Sequence, residues 1–254
     1  MITFEELIEA ARDPKILALD VDAFGPADIV NIILQRSEII RDQHRPGKIV
    51  NAWAEGDDAP ALALAEKMGS ELVRRAAAII WLEYLEVKDT IQQIEPKSVA
   101  DIGCGYAIFD LFLWQDFQSR LVLIDLETTQ KRHFGFKETG AAYSSLDTAK
   151  QFLSANGVPD SQIHLRNPND ADLNQDPKVD LAVSFISCGF HYPVETYLEY
   201  FKTNVSADGG VILDFRARKA RAGIETLKAL GEVSILTDAA YGNARRVLLR
   251  KGAM

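Results

Sequence analysis

The chain has 254 residues, of which 47% are hydrophobic and 26% charged, and its formal net charge at pH 7 is −9. This length and composition allow one substantial core, with room for a smaller subdomain. The acidic balance disfavours a nucleic-acid backbone as the main partner, because phosphates and acidic side chains repel each other.

The first 95 residues show helical patterns and no convincing strand. Thr3 and Glu6 form a capping box at the start of the first predicted helix. A second helix is predicted after Pro26, where isoleucines recur at helical spacing; a short one covers "APALALAEKMG", and a long one runs from Ser70 to about Gln93. We therefore expect residues 1–95 to form a helical N-terminal cap region, followed by a second domain over residues 96–254.

After Pro96, short apolar strands alternate with helices, which predicts a parallel sheet with helical crossovers. The expected strands lie near 98–102, 120–125, 162–166, 179–185, 209–215, 232–237 and 244–250. The expected helices lie near 107–117, 144–156, 193–204 and 218–230, with a short or absent one near 170. The predicted fold class is α/β: a Rossmann-like, doubly wound, seven-stranded and mostly parallel sheet with the helical N-terminal region.

The segment "SVADIGCGYAIFDL" joins the first predicted strand to its helix. Asp101 ends the apolar run, and Gly103 and Gly105 provide a turn whose backbone a ligand can approach. Asp125 closes the next strand, where a carboxylate can accept hydrogen bonds from both hydroxyls of a ribose. The third glycine of the GxGxxG pattern of a dinucleotide site is missing after Gly103 and Gly105, so a nicotinamide-dependent oxidoreductase is disfavoured.

These residues resemble a known family. "VADIGCGYA" followed by "LVLIDLE" is similar to motif I and the second-strand acid of the class I S-adenosylmethionine-dependent methyltransferases. The resemblance covers about residues 96–251, and it implies that the last strand of the sheet is antiparallel. One departure is Ala107, where the family often has a third glycine; we expect this small residue to be tolerated.

The resemblance implies S-adenosylmethionine as the cofactor and S-adenosylhomocysteine as the product. Asp101 and the backbone from Gly103 through Cys104 to Gly105 would approach the methionine part of the cofactor. Asp125 would hold the ribose and Leu126 would pack on the adenine. The remaining expected cofactor-binding residues are Asp170, with Ala171 beside it, and Ser184. Asp172 competes with Asp170 for the adenine-side role, and an ordinary turn is the alternative interpretation of Asp170.

The loop "SFISCGFHYP" follows the fourth predicted strand, at the crevice where doubly wound sheets bind ligands. Transfer to a hydroxyl benefits from a base, and His191 is the candidate catalytic residue; a structural histidine is the alternative. Tyr192 is a candidate for substrate binding, although core packing would also explain it. The string "GFHYP" with "GAAYSSL" is similar, more weakly, to sugar O-methyltransferases, which suggests a sugar hydroxyl as the acceptor.

Two further substrate-binding candidates lie outside this loop. Residues 127–143 lengthen the second connection, so they form either a lid or a plain surface insertion, and they carry His133 as a second possible base. Arg216 follows the fifth strand and could meet an anionic acceptor. The basic cluster that it begins, with Arg218, Lys219 and Arg221, has a solvated helix start as its plainer interpretation.

The remaining sequence features exclude several classes of site. Cys104 and Cys188 are too few for a disulfide framework, and the four histidines form no metal-binding pattern, so we expect no metal. The N-terminus carries acids where a signal peptide would be basic, and no apolar stretch is long enough for a membrane span; we expect a cytoplasmic protein without a membrane partner. The expected function is methyl transfer from S-adenosylmethionine to a small molecule, most plausibly at oxygen. The alternatives are N-methylation of a small molecule or RNA, and a non-catalytic binding module.

Overall fold

The computed structural model describes residues 2–127, 144–170, 172–240 and 243–252. The helices are α1 (Phe4–Ala10), α2 (Pro14–Leu17), α3 (Pro26–Gln35), α4 (Pro46–Ala54), α5 (Ala59–Met68), α6 (Ser70–Gln92), α7 (Ile108–Phe117), α8 (Leu146–Ala155), α9 (Leu198–Thr203) and α10 (Ala220–Lys228). The strands are β1 (Ser98–Ile102), β2 (Arg120–Ile124), β3 (Ile163–Arg166), β4 (Val179–Ser184), β5 (Val205–Arg216), β6 (Gly231–Ala240) and β7 (Ala244–Lys251).

The seven strands form one sheet in the order β3-β2-β1-β4-β5-β7-β6. Strands β1 to β5 pair in parallel, whereas β7 runs antiparallel to both of its neighbours, β5 and β6. The predicted fold class is therefore confirmed, including the reversed last strand. Strand order reverses between β1 and β4, so the carboxyl ends of these strands border the crevice where doubly wound sheets bind ligands.

Alternating side chains of the sheet point into two cores. On one face, residues such as Val99 and Leu121 join a continuous apolar cluster with the N-terminal helices, α7 and α8. On the other face, residues such as Ala100 and Val122 pack with α9 and α10. This division follows from the period of two along a strand. The N-terminal helices thus share a core with the sheet.

The sequence patterns locate most helices. The capping box of α1 is present, since the Thr3 side chain accepts from the Glu6 backbone N–H and the Glu6 carboxylate accepts from the Thr3 N–H. The short helix α2 and the helix α4 were not predicted. The start of α4 carries Arg45 in a left-handed conformation, followed by Pro46 and Gly47, which weakens its helical pattern. Near residue 170, the described residues form only a three-residue 3-10 helix (Leu173–Gln175).

Candidate active site

The turn between β1 and α7 has an unusual backbone. Gly103 and Gly105 have φ angles of +76° and +58°, and Ala107, immediately before α7, has a φ of +55°. Glycine adopts this left-handed region without the Cβ clash that other residues meet. The turn thus needs the two glycines. Ala107 is accommodated, as expected, but in a conformation that would suit glycine better.

Asp125, directly after β2, is tied to this turn. Its Oδ2 accepts from the Gly105 backbone N–H at 2.9 Å, and its Oδ1 accepts from the Glu127 N–H at 2.9 Å and from the Ser144 hydroxyl at 2.8 Å. Burial raises the pKa of Asp125, although these three hydrogen bonds oppose the increase. The contact with Gly105 brings the second-strand acid and the glycine turn together, as the sequence predicted.

Two more carboxyl groups are buried beside the turn. Asp101, in β1, is 4% exposed, and Asp110, in the first turn of α7, is 1% exposed. Burial raises the pKa of both, and for Asp101 the neighbouring charges of Asp110 and Asp125 raise it further. Among the ion pairs of the described residues, none includes any of these three aspartates. Among the described residues, the site therefore concentrates carboxyl groups without an ion-paired cation to balance them.

Helix α3 of the N-terminal region covers the turn. Tyr106, in the turn itself, donates its hydroxyl proton to Asp28 Oδ1 at 2.9 Å and accepts from the Asn31 side-chain amide at 3.0 Å. The amide of Gln35, one helical turn further on, lies within 3.3–3.6 Å of the place that a Cβ on Gly105 would take. Polar side chains of α3 thus cover the glycine turn.

The loop after β4 closes the other side. The buried Ser184 hydroxyl donates to the Ile102 carbonyl and accepts from the Cys188 N–H, so it holds the loop against the end of β1. Ile186 has a φ of +52°, a strained conformation for a β-branched residue. Ser187 follows, and its Cβ lies 2.6 Å from the place that a Cβ on Gly103 would take. Strain of this kind is concentrated at functional sites.

The candidate base and its neighbours lie at the end of the same loop. Tyr192 hydrogen-bonds through its hydroxyl to the Ser187 hydroxyl at 3.0 Å, which places it near Gly103. His191 is half-buried, its backbone N–H donates to the Ser187 carbonyl, and its ring meets the edge of Phe190. Arg216 donates from Nε to the Phe190 carbonyl, and its guanidinium lies 4.6 Å from the centre of that ring. Arg216 therefore braces the loop that carries His191.

The connection after β3 approaches the site through a different residue than expected. Asp170 is exposed, whereas the Asn167 side chain donates to the Leu126 carbonyl and the Glu127 carboxylate. Asp172 caps the following 3-10 helix by accepting from the Asn174 N–H. The structure thus brings Asn167, and not Asp170, to the half-buried Leu126. Ala171, His133 and most of the 127–143 insertion lie outside the described residues.

Comparison with solved structures identifies the fold. An O-methyltransferase candidate from Nostoc punctiforme superposes with a TM-score of 0.52 at 14% identity, over 88% of this chain and 72% of that one. The apo S-adenosylmethionine-dependent methyltransferase SibL gives a TM-score of 0.51 at 13% identity, over 88% of this chain and 73% of that one. This chain has the methyltransferase fold. Neither family models nor curated protein sequences match it.

Within the methyltransferase fold, several residues at the site were not predicted: Asp28, Asn31, Gln35, Tyr106, Asp110, Ser144 and Ser187. Only Asp110 carried a local signal, as an acid on a face of α7 that is otherwise apolar. The others meet the turn through contacts between distant parts of the chain. The basic residues Arg218, Lys219 and Arg221 are exposed, which fits a solvated helix start.

The described residues contain no group of three or more potential ligands that could hold a metal ion. Cys188 is buried and Cys104 is partly exposed, and burial raises the pKa of both thiols. Among the described helices, none has the length and apolar character needed to cross a bilayer.

Proposed function

We propose that this protein transfers a methyl group from S-adenosylmethionine to the hydroxyl of a small molecule. One observation carries the proposal. In a chain with the methyltransferase fold, carboxyl groups that are buried and have no cationic partner among the described residues surround the glycine turn, at the crevice beside β1. Burying unpaired charge costs free energy that a cationic ligand can offset.

The residues present fit the donor. When bound, S-adenosylmethionine supplies an electron-poor methyl group on a sulfonium, together with an ammonium and a ribose. Asp101 has one buried oxygen, Oδ1, without a hydrogen-bond partner among the described residues, and it would face the ammonium end. Asp125 accepts three hydrogen bonds, whereas a carboxylate can accept about four. Asp125 therefore keeps room for one ribose hydroxyl, and for a second if Ser144 turns away.

The other donor contacts are proposed on position. The backbone from Gly103 through Cys104 to Gly105 would border the methionine part, once Ser187 moves off Gly103. Leu126 would pack on the adenine, and we propose Asn167 as the polar residue beside it in addition to Asp170 and Ala171. Ser184 would act indirectly, because its hydroxyl is already bonded to Ile102 and Cys188.

On the acceptor side, we propose His191 as the general base. Methyl transfer forms an O–CH₃ bond and breaks the S–CH₃ bond, and the proton of the acceptor hydroxyl passes to the imidazole. Tyr192, whose hydroxyl reaches Ser187 above Gly103, would line the acceptor pocket. Arg216 would support the loop, and could extend its guanidinium to an anionic acceptor group. Residues 1–95 would help to enclose the pocket as a cap on domain 96–254.

The donor half of the proposal is tested by isothermal titration with S-adenosylhomocysteine. The wild type should bind, and Asp125→Asn should weaken binding by at least about tenfold, because a hydrogen bond to a charged group is worth about 1.5–3 kcal/mol. Asp208→Asn, a change at an exposed aspartate of β5, is the matched control and should leave binding unchanged. A wild type that binds neither S-adenosylmethionine nor S-adenosylhomocysteine at millimolar concentration contradicts the proposal.

The acceptor half of the proposal is tested by screening candidate acceptors. Hydroxylated metabolites, sugars among them, would be incubated with the enzyme and isotopically labelled S-adenosylmethionine, and methylated products detected by mass spectrometry. His191→Ala should keep donor binding and lose about 10²–10⁴-fold in turnover. A labelled methyl group on a nitrogen of the product would move the assignment to N-methylation. Donor binding without turnover of any acceptor would favour the binding-module alternative.

A further inference from the structure

Asp110 has no proposed contact with the donor. It lies in the first turn of α7, and it is among the most deeply buried polar residues of the described chain. Neither of its carboxyl oxygens has a hydrogen-bond partner of good geometry among the described residues. An ionised carboxylate is rarely left in such surroundings.

Asp101 is the other carboxyl group buried beside this turn, and among the described residues it is the side chain that acts on the protonation of Asp110. Asp101 Oδ1 likewise has no hydrogen-bond partner among the described residues. Two carboxylates cannot hydrogen-bond unless one carries a proton, and like charges in contact favour the singly protonated state. The remaining charged group that influences the pair is Asp125, which adds negative charge; the Cys104 thiol beside them stays neutral. No cation among the described ion pairs reaches them.

We propose that Asp101 and Asp110 hold one proton between them in the free protein, and that the pair releases it when the cationic donor binds. This inference rests on the proposed function, because it assigns Asp110 as a positioning residue of the same site. An ammonium beside Asp101 stabilises the ionised form of the pair. The O–H bond of the protonated carboxyl then breaks, and the proton passes to solvent. Binding of the donor is thereby linked to pH.

The experiment is calorimetry of S-adenosylhomocysteine binding between pH 6 and 7, in two buffers of different ionisation enthalpy. The difference in apparent binding enthalpy gives the number of protons exchanged. We expect the wild type to release a fraction of a proton per site, and its affinity to rise with pH by at most about tenfold per pH unit. Incomplete protonation of the ligand's own amino group would give proton uptake, the opposite sign.

Variants separate this linkage from other sources of protons. Asp110→Asn keeps a hydrogen-bond donor to Asp101 but cannot hold the proton itself, so its binding should release less of a proton than the wild type and its affinity should depend less on pH. Asp208→Asn should behave as the wild type. Binding by the wild type without proton release would overturn the inference, as would unchanged release by Asp110→Asn, which would point to Asp101 alone or to Asp125. Should Asp110→Asn fail to fold, the wild-type proton count decides alone. Absence of any binding is instead the failure of the proposed function.

Discussion

Replacement of Gly103 by alanine tests the geometry of the closed site. The residue has a φ of +76°, and a Cβ there would lie 2.6 Å from the Ser187 Cβ, with the Ser187 hydroxyl closer still. Two penalties therefore add. A left-handed alanine costs about 1–2 kcal/mol, and crowding a packed site costs about 1–3 kcal/mol more. Gly103→Ala should lower the free energy of unfolding by about 2–5 kcal/mol.

A matched control separates the two penalties. Gly157 has a φ of +94°, but a Cβ there would meet nothing within 4 Å. Gly157→Ala should thus show the backbone penalty alone, about 1–2 kcal/mol. A second change, Ser187→Gly, removes both clashing atoms, so Gly103→Ala in that background should cost no more than Gly157→Ala.

The assay is urea unfolding of the five proteins, followed by circular dichroism, with the coupling energy taken from the double-mutant cycle. A coupling of about 1–3 kcal/mol between Gly103 and Ser187 is expected. Equal costs for Gly103→Ala and Gly157→Ala, with no coupling to Ser187, would refute the placement of Ser187 over the turn. The closed loop would then not be the state of the free protein in solution.

Three further predictions follow from buried charges. Because burial raises the pKa of Asp110 in the folded protein, the folded state binds more protons than the unfolded state above about pH 4. The contribution of Asp110 to the free energy of unfolding should thus fall as pH rises towards 7, by at most about 1.4 kcal/mol per pH unit. In urea unfolding at pH 5 and pH 7, Asp110→Asn should lose less stability between the two pH values than the wild type does. Arg246 forms a bidentate, fully buried ion pair with Asp214. Arg246→Met should therefore lower the free energy of unfolding in urea by about 3–5 kcal/mol, and the double variant Arg246→Met/Asp214→Leu should recover most of that loss. A loss below about 1 kcal/mol in the single variant would contradict the pairing. Ser144→Ala frees a lone pair of Asp125 and should leave calorimetric affinity for S-adenosylhomocysteine equal or higher, whereas a large loss would mean that Ser144 itself binds the ligand.

The sheet could be predicted from the sequence because its signals are local. Strands β1, β2 and β4 are short, mostly apolar runs, and the two glycines between Asp101 and Tyr106 indicate the turn after β1. The bounds of β1 were predicted to the residue, and those of β2 to within one residue. Helix α4 was missed because Pro46 and Gly47 mark a turn as readily as a helix start. Local pattern alone does not decide between these two outcomes.

The residues around the turn could be predicted only in part, for a different reason. Asp125 follows its strand, so its position relative to Gly105 is fixed by the register of β1 against β2. Asp170 has no such constraint: it ends a turn that begins at Asn167, and the Asn167 side chain reaches Leu126 instead. A side chain's place in a loop depends on hydrogen bonds that no periodicity reveals. Roles assigned to loop residues from sequence therefore need the structure before they can be tested.

The contacts over the glycine turn give the N-terminal helices a part in the site beyond packing. The Tyr106 hydroxyl is buried between Asp28 and Asn31, and Thr148 of α8 donates to the same Asp28 carboxylate. Helix α3, the glycine turn and α8 are therefore joined at one carboxylate. Gln35 continues the polar side of α3 to Gly105. Among the described residues, these polar side chains of α3 and the strained loop with Ile186 and Ser187 both border the turn. The α3 side chains are held by three part-buried hydrogen bonds, whereas the loop stores backbone strain. Of these two parts, the loop should therefore move at lower cost.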